Sequence, residues 1–160
     1  MDAYHLRRKD RAIEESRELH ALLRQGRFAA LALCRDGEPY VVTLNHGLDE
    51  QRNCLYFHAA PEGQKLDFIR AHPRACATVV EDRGYAPGEC SHRYRSVVLR
   101  GPLSIVTDEL EKRHAMDVLI RHHEPDPDPV RTRFLADPRW TGGVAVLRLD
   151  IEEMTGKASL

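Results

Sequence analysis

No stretch of the 160 residues is apolar for long enough to cross a bilayer as a helix. The N-terminus has no apolar core of the secretory-leader kind, so the expected location is cytoplasmic. Charge of one sign is also missing. There are 24 Lys and Arg against 25 Asp and Glu, a formal net charge of −1, which speaks against nucleic acid or a membrane surface as partner. The one basic run, Arg7-Arg8-Lys9, is followed at once by Asp10, Glu14 and Glu15 and reads as a solvated helix face. Cys34, Cys54, Cys76 and Cys90 are too few and too scattered for a disulfide scaffold and hold no C-x-x-C pair. Three of them lie in or beside apolar runs and read as reduced core residues. With no internal repeat and no break in composition, one domain spanning 1–160 is expected.

The hydrophobic periodicity changes along the chain. Residues 1–26 hold an N-terminal helix, over 10–25, with Ile13, Leu19, Leu22 and Leu23 at helical spacing and Gly26 as its stop. Residues 27–107 read as barrel strands. Phe28–Leu33 and Tyr40–Leu44 flank the hairpin signal Arg35-Asp36-Gly37-Glu38, and Cys54–His58 follows the polar turn 49–53. Pro61 opens a short helix that His72-Pro73 ends. Ala75–Val80 is a fourth strand, 83–92 a loop, and Tyr94–Val106 a long strand with a bulge or bend at Gly101-Pro102. Residues 108–137 carry a second amphipathic helix over 108–123, a Pro-rich connector over 124–129 and a short helix over 130–136. A final strand, Gly143–Leu149, lies within 142–151, and the last residues are expected to fray. Six antiparallel strands interrupted by helices imply a mainly β (α+β) fold, a closed barrel with flanking helices, because closure removes exposed edges.

Three stretches carry candidate chemistry. In Leu55–Lys65 (LYFHAAPEGQK) a strand delivers His58 to its end, and Lys65 follows in the first turns of a helix. Helix N-terminal amides and a lysine together suit an anion. The spacing is not that of a Walker loop, and a strand-end His with a surface Lys is an equally open reading. In Tyr40–Gly47, Thr43 and Asn45 alternate onto one face and offer polar groups to the edge of a flat heterocycle, while Asn-His-Gly also suits a turn. In Glu89–Val98, Arg93, Arg95 and Val97 share one face, and Arg95 is either aimed at a phosphate or carboxylate or paired across strands. His114, His122 and His123 have no carboxylate cluster beside them in the sequence, so no metal site is expected there. Trp140 is either core or a flat wall for a ring.

These stretches in this order resemble the pyridoxamine-phosphate-oxidase-like, FMN-binding split barrels, and within them the branch of 5-nitroimidazole resistance (Nim-type) proteins. The carrying residues are FAALAL…DGEPYVVTLNHGLD, LYFHAAPEGQKLDFIRAHPRACATVVED, GECSHRYRSVVLRGPLSIV and GGVAVLRLDIEEMTGKAS. The resemblance implies a six-stranded antiparallel split β-barrel and a homodimer whose cofactor sites lie at the subunit interface. It implies FMN, with haem in some relatives. By position, Thr43 and Asn45 would approach the isoalloxazine, His58 and Ala59 would lie along the cofactor, and Lys65 would hold the phosphate. Arg95 and Ser96 would contribute from the long strand and Trp140 from over the partner's ring. His58 would be the catalytic residue, or the axial ligand if haem is bound. Many relatives have Pro where Thr43 stands, and the full basic set that binds the substrate phosphate in pyridoxamine phosphate oxidation is not found. The resemblance therefore implies an FMN-dependent oxidoreductase that reduces a nitro compound, a quinone or a similar small acceptor. Haem binding and pyridoxamine-phosphate-oxidase-like activity stand as alternatives.

Overall fold

Eight strands and four helices make up the computed structural model, which describes residues 6–135, 137 and 143–160. In chain order they are β1 (Ala12–Ile13), α1 (Ser16–Gln25), β2 (Phe28–Arg35), β3 (Glu38–Asp49), β4 (Cys54–Ala59), α2 (Gln64–Ala71), β5 (Arg74–Ala86), β6 (Ser91–Val106), α3 (Glu109–His123), α4 (Pro127–Leu135), β7 (Ala145–Asp150) and β8 (Glu153–Ser159). All pairings are antiparallel. Six strands close a ring in the order β2-β3-β4-β7-β6-β5, with β8 and then β1 added outside β6. The ring closes because β6 serves two partners. Its first half pairs with β8, up to Arg100↔Glu153, and its last residues pair with β7, from Leu103↔Leu149. Gly101 sits at the changeover, where a Cβ would lie 1.8 Å from the Asp150 carbonyl oxygen, so only glycine fits.

Alternation along the strands sorts the residues into two faces. Ala29, Leu31 and Leu33 of β2, Leu55, Phe57 and Ala59 of β4, Ala77 and Val79 of β5, and Leu147 and Leu149 of β7 fill the barrel. Full burial of a side chain such as Leu55 or Phe57 contributes roughly 1.5–3 kcal/mol. The outer face of β4 and β7 builds a second core, in which Cys54, Tyr56 and Val146 pack under Ala115, Met116 and Leu119 of α3. Strand β4 is thus buried on both faces until His58, which is exposed. Gly47 allows α3 to approach, since a Cβ there would stand 3.1 Å from the backbone N and Cα of Leu119. Gly47→Ala should therefore destabilise the fold by about 1–3 kcal/mol. In a thermal melt this is a fall of roughly 2–4 °C per kcal/mol, and an unchanged midpoint would contradict the close packing.

Several expectations need correction. The N-terminal helix starts only at Ser16, because Ala12 and Ile13 pair with Lys157 and Gly156 of β8. The chain end is that paired strand and not a fray. The expected loop over 83–92 is the tip of a hairpin. Strands β5 and β6 stay paired to Ala86↔Ser91, with a register shift between Asp82 and Tyr85. Asn45-His46-Gly47 is no turn, since β3 runs through to Asp49. Helix α4 begins at Pro127, inside the expected connector. Proline is tolerated in a first turn, where its missing N–H has no helical partner anyway. Its expected last residue, Ala136, lies outside the described residues. Of the four cysteines, all free, only Cys54 is buried. The Asp36-Gly37 turn is as expected, with positive φ at both residues (52° and 83°), the two-residue hairpin geometry. No helix among the described residues is long and apolar enough to cross a membrane.

Candidate functional site

The outer sheet face carries one lateral row. Ser96 pairs with Lys157 on one side and Val80 on the other. The β2–β5 register, carried two residues beyond Ala30↔Thr78, sets Val80 beside Phe28. Phe28 pairs with Asn45. One residue beyond His46↔Phe57, Asn45 stands opposite His58. Thr43 lies on the same face, paired with Ala30. The structure thus brings Thr43, Asn45 and His58 together. Ser96 lies four strands away, about 19 Å around the barrel at ~4.8 Å per strand.

Ala59 and Arg95 do not share that face. Consecutive strand residues point oppositely, so Ala59 follows His58 into the core. Arg95 is taken up by its cross-strand neighbour, its Nε donating to Glu81 Oε2 at 2.5 Å. That bond, with help from Arg83, holds the Glu81 carboxyl below its usual range. Lys65 is the second residue of α2, half-buried, four residues after the N-cap stretch opens at Pro61. Gly63 caps this helix at φ 123° with no side-chain hydrogen bond, and the space where its Cβ would stand is open to at least 4 Å. Of the first-turn amides, that of Leu66 donates to the Gly63 carbonyl at 2.9 Å, and those of Gln64 and Lys65 remain for a ligand beside the Lys65 side chain. Asp67, the acid of that turn, is held by Arg70 at 3.1 Å. Trp140 lies outside the described residues.

A cleft of about 330 Å³ opens between the Asn45–His58 end of the row and helices α3 and α4. Met116, Leu119, Ile120, Val130 and Phe134 form its apolar walls. His58, His123, Asn45 and Glu124 bring polar atoms to it. Beside it three histidines tie β3, the end of α1 and the end of α3 together through backbone carbonyls. His46 Nε2 donates to Leu23 O at 2.9 Å, His122 Nε2 to Gly26 O at 2.7 Å and His123 Nε2 to His46 O at 2.9 Å. The His46 and His122 rings lie 4.9 Å apart, as do those of His122 and His123. Arg27 Nη1 donates to the carbonyls of His122 and His123, closing the end of α3 at 3.1 Å each.

Two of these imidazoles, His46 and His122, are disfavoured as cations. Burial, reinforced by His122 and His123, drives His46 down to about 4 against the pull of its bond to Leu23. His122 is lowered by burial, with His123 and Arg27 adding to it. Although His58 is exposed at the cleft mouth, desolvation by the walls lowers it as well, and His123 adds to that. Farther along α3, His114 Nε2 donates to the buried Asp49 carboxylate at 2.6 Å. Burial works to raise Asp49, but the bonds from His114 and the Arg52 amide outweigh it and hold the carboxyl low. Tyr56 donates to Glu111 at 2.9 Å, and Arg148 donates to the same carboxylate at 2.7 Å. This polar seam fixes α3 on the barrel. Among the described residues no three His, Cys, Asp or Glu side chains stand together as a metal site.

His123, Phe28 and the α4 wall were not singled out by the sequence pattern. The His122-His123 pair looked like a basic helix end, and only the antiparallel register reveals that Phe28 adjoins Asn45.

A ring of six antiparallel strands, with Thr43, Asn45 and His58 grouped on its outer face and helices folded over one end, defines a split β-barrel of the flavin-binding type. The sequence model of the pyridoxamine 5'-phosphate oxidase family matches residues 15–158, and the chain belongs to that family. A protein from Bacteroides thetaiotaomicron VPI-5482 assigned to 5-nitroimidazole antibiotic resistance is similar in structure. Its TM-score is 0.79 at 28% identity, over 91% of this chain and 85% of that one. An FAD-binding protein from Mesorhizobium loti has a TM-score of 0.68 at 27% identity, over 94% and 98%. The FAD- and haem-binding protein of Mycobacterium smegmatis shares the fold, with a TM-score of 0.76 at 24% identity over 93% and 73%. An uncharacterised protein of Rhizobium meliloti (strain 1021) is 31% identical over 84 residues, about half of each chain.

Proposed function

We propose that this chain is an FMN-dependent oxidoreductase that reduces a nitro compound, a quinone or a similar small acceptor. One observation carries the reading: Thr43, Asn45 and His58 form a polar shelf on the outer sheet face, and the uncapped N-terminus of α2 with Lys65 follows directly in the chain. An anion fits the open amides and the lysine, and a flat ring fits the shelf. When bound, the flavin would supply the electron transfer. Thr43 and Asn45 would hydrogen-bond the ring edge. Lys65 would anchor the phosphate. His58, neutral at physiological pH, would orient the acceptor and hold a proton near it.

The site is completed by a second copy of the chain. Ser96 shares the row with His58 but lies too far around the barrel to meet the same ring, which supports its serving the partner's site. The outer face also exposes Phe28 (57%), Val41 (62%) and Val80 (58%), apolar residues suited to a symmetric interface. The visible spectrum of the purified protein tests the cofactor. Flavin bands, or their appearance on FMN titration, are expected, and a colourless protein that takes up no FMN would sink the reading. A Soret band that His58→Ala abolishes, with FMN affinity intact, would instead favour haem on His58.

A further inference from the structure

The cleft beside the shelf presents hydrogen-bond acceptors in excess. Asn45 Nδ2 gives one N–H to the Arg27 carbonyl at 3.3 Å, which leaves its Oδ1 and its second N–H for ligands. His123 gives its Nε2–H to His46 O, which leaves Nδ1 as its nitrogen for a ligand. Glu124 adds a carboxylate at the rim, and among the described residues neither Lys nor Arg lines the cleft. Among the described residues the donors are fewer: His58, which also offers an acceptor, and the second N–H of Asn45. The walls are apolar, and the volume of about 330 Å³ is that of a small-ligand pocket. A molecule with acceptor oxygens alone, such as a quinone or nitroarene, would face lone pairs at most of these positions and leave them unpaired.

We propose that this cleft binds a planar arene bearing O–H or N–H donors, a phenol, hydroquinone or aminoarene. Its ring packs between Met116, Val130 and Phe134, and its donors meet Asn45 Oδ1 and His123 Nδ1. The pocket is separate from the phosphate seat, because neither Thr43 nor Lys65 lines it. It adjoins the flavin shelf through Asn45 and His58. If the flavin reading holds, the cleft favours the reduced, donor-bearing partner over the acceptor, and the enzyme is inhibited by its product.

The test uses a matched pair of probes, 2-naphthol and 2-methoxynaphthalene, which differ in one donor. Binding of each to the full chain is measured at pH 7.5 by the probe's own fluorescence, with an FMN titration run in parallel. The expected result is that 2-naphthol binds about five- to tenfold more tightly, the worth of one hydrogen bond of ordinary strength. Val130→Trp, which fills the cleft, should weaken 2-naphthol at least tenfold and leave FMN affinity within about twofold. Equal affinity for the two probes, or no binding of either, overturns the proposal. So does a Val130→Trp protein that loses FMN together with 2-naphthol, because the cleft would then be the flavin's own seat. The two-probe comparison on the unsubstituted chain stands whether or not Val130→Trp folds. A chain that discriminates the probes but takes up no FMN supports the cleft while sinking the flavin reading.

Discussion

Lys65→Ala should weaken FMN binding by about 10- to 100-fold while changing riboflavin affinity by less than about twofold. The first figure follows from the loss of one charge-assisted hydrogen bond, about 1.5–3 kcal/mol. The second follows from geometry, since riboflavin lacks the phosphate but keeps the ring that Thr43 and Asn45 would hold. Lys65 follows an uncapped glycine N-terminus, so its ammonium and the first-turn amides would act on one anion. Quenching of flavin fluorescence on titration gives both constants. Raising the salt should narrow the difference between the two flavins in the native protein, because part of the phosphate attraction is screened. Equal losses for FMN and riboflavin would remove Lys65 from the phosphate and place it near the ring.

Acid should begin to destabilise this protein well above the carboxylate range. His46 is buried, and its folded value of about 4 lies below the ordinary 6.5. The unfolded chain therefore binds the proton first. As pH falls from 6.5 towards 4, protonation favours the unfolded state, and below 4 both states carry the proton and the effect stops growing. At 1.36 kcal/mol per unit the loss is on the order of 3 kcal/mol. His122 and His58, also lowered, act in the same sense. Asp49 and Glu81 act later, since depressed carboxyls lose their contribution only as pH falls through the carboxylate range. Urea midpoints measured between pH 7.5 and 4 should fall over this window. His46→Gln keeps a donor for the Leu23 carbonyl but cannot titrate, so most of the slope should disappear. A native midpoint that stays flat down to pH 4.5 would refute the buried neutral histidine.

The six ring strands were legible in the sequence because each has an apolar face, and the turns between them carry Asp-Gly, Asn or Pro. Strand β8 was not. Its sequence EMTGKAS offers little apolar surface, and its glycine reads as a breaker. In the fold Gly156 lies close under α1, since a Cβ would stand 2.2 Å from Leu19 Cδ2 and 3.1 Å from the Ser96 carbonyl oxygen, and the Leu19 side chain would have to shift. The hairpin over 83–92 was hidden because Gly84, Pro87 and Gly88 look like loop residues, although pairing resumes after the shift at Arg83-Gly84 and runs to Ala86↔Ser91. At the site, the shared face of Thr43 and Asn45 followed from alternation alone. Alternation also demanded that Ala59 point away from His58 and Arg95 from Ser96, which the family resemblance passed over. The Asn45–His58 pairing and the distance to Ser96 depend on register and strand order, which no local pattern encodes. The same is true of His123, whose role emerges only where α3 ends over β3.

The double use of β6 also sets a timetable for folding. Strand β7 completes the ring by joining β4, about ninety positions earlier, to the end of β6. A chain made from its N-terminus at ~5–20 residues per second reaches 145–150 some seconds after β4 has emerged. Until then β4, already paired with β3 on one side, has its other edge open, the tail of β6 lacks β7, and Tyr56 and Val106 have no β7 residue beside them. The growing protein therefore passes through an interval in which its future inner wall is adhesive. Conditions that slow translation late in the chain should lower the yield of folded protein more than those that slow it early.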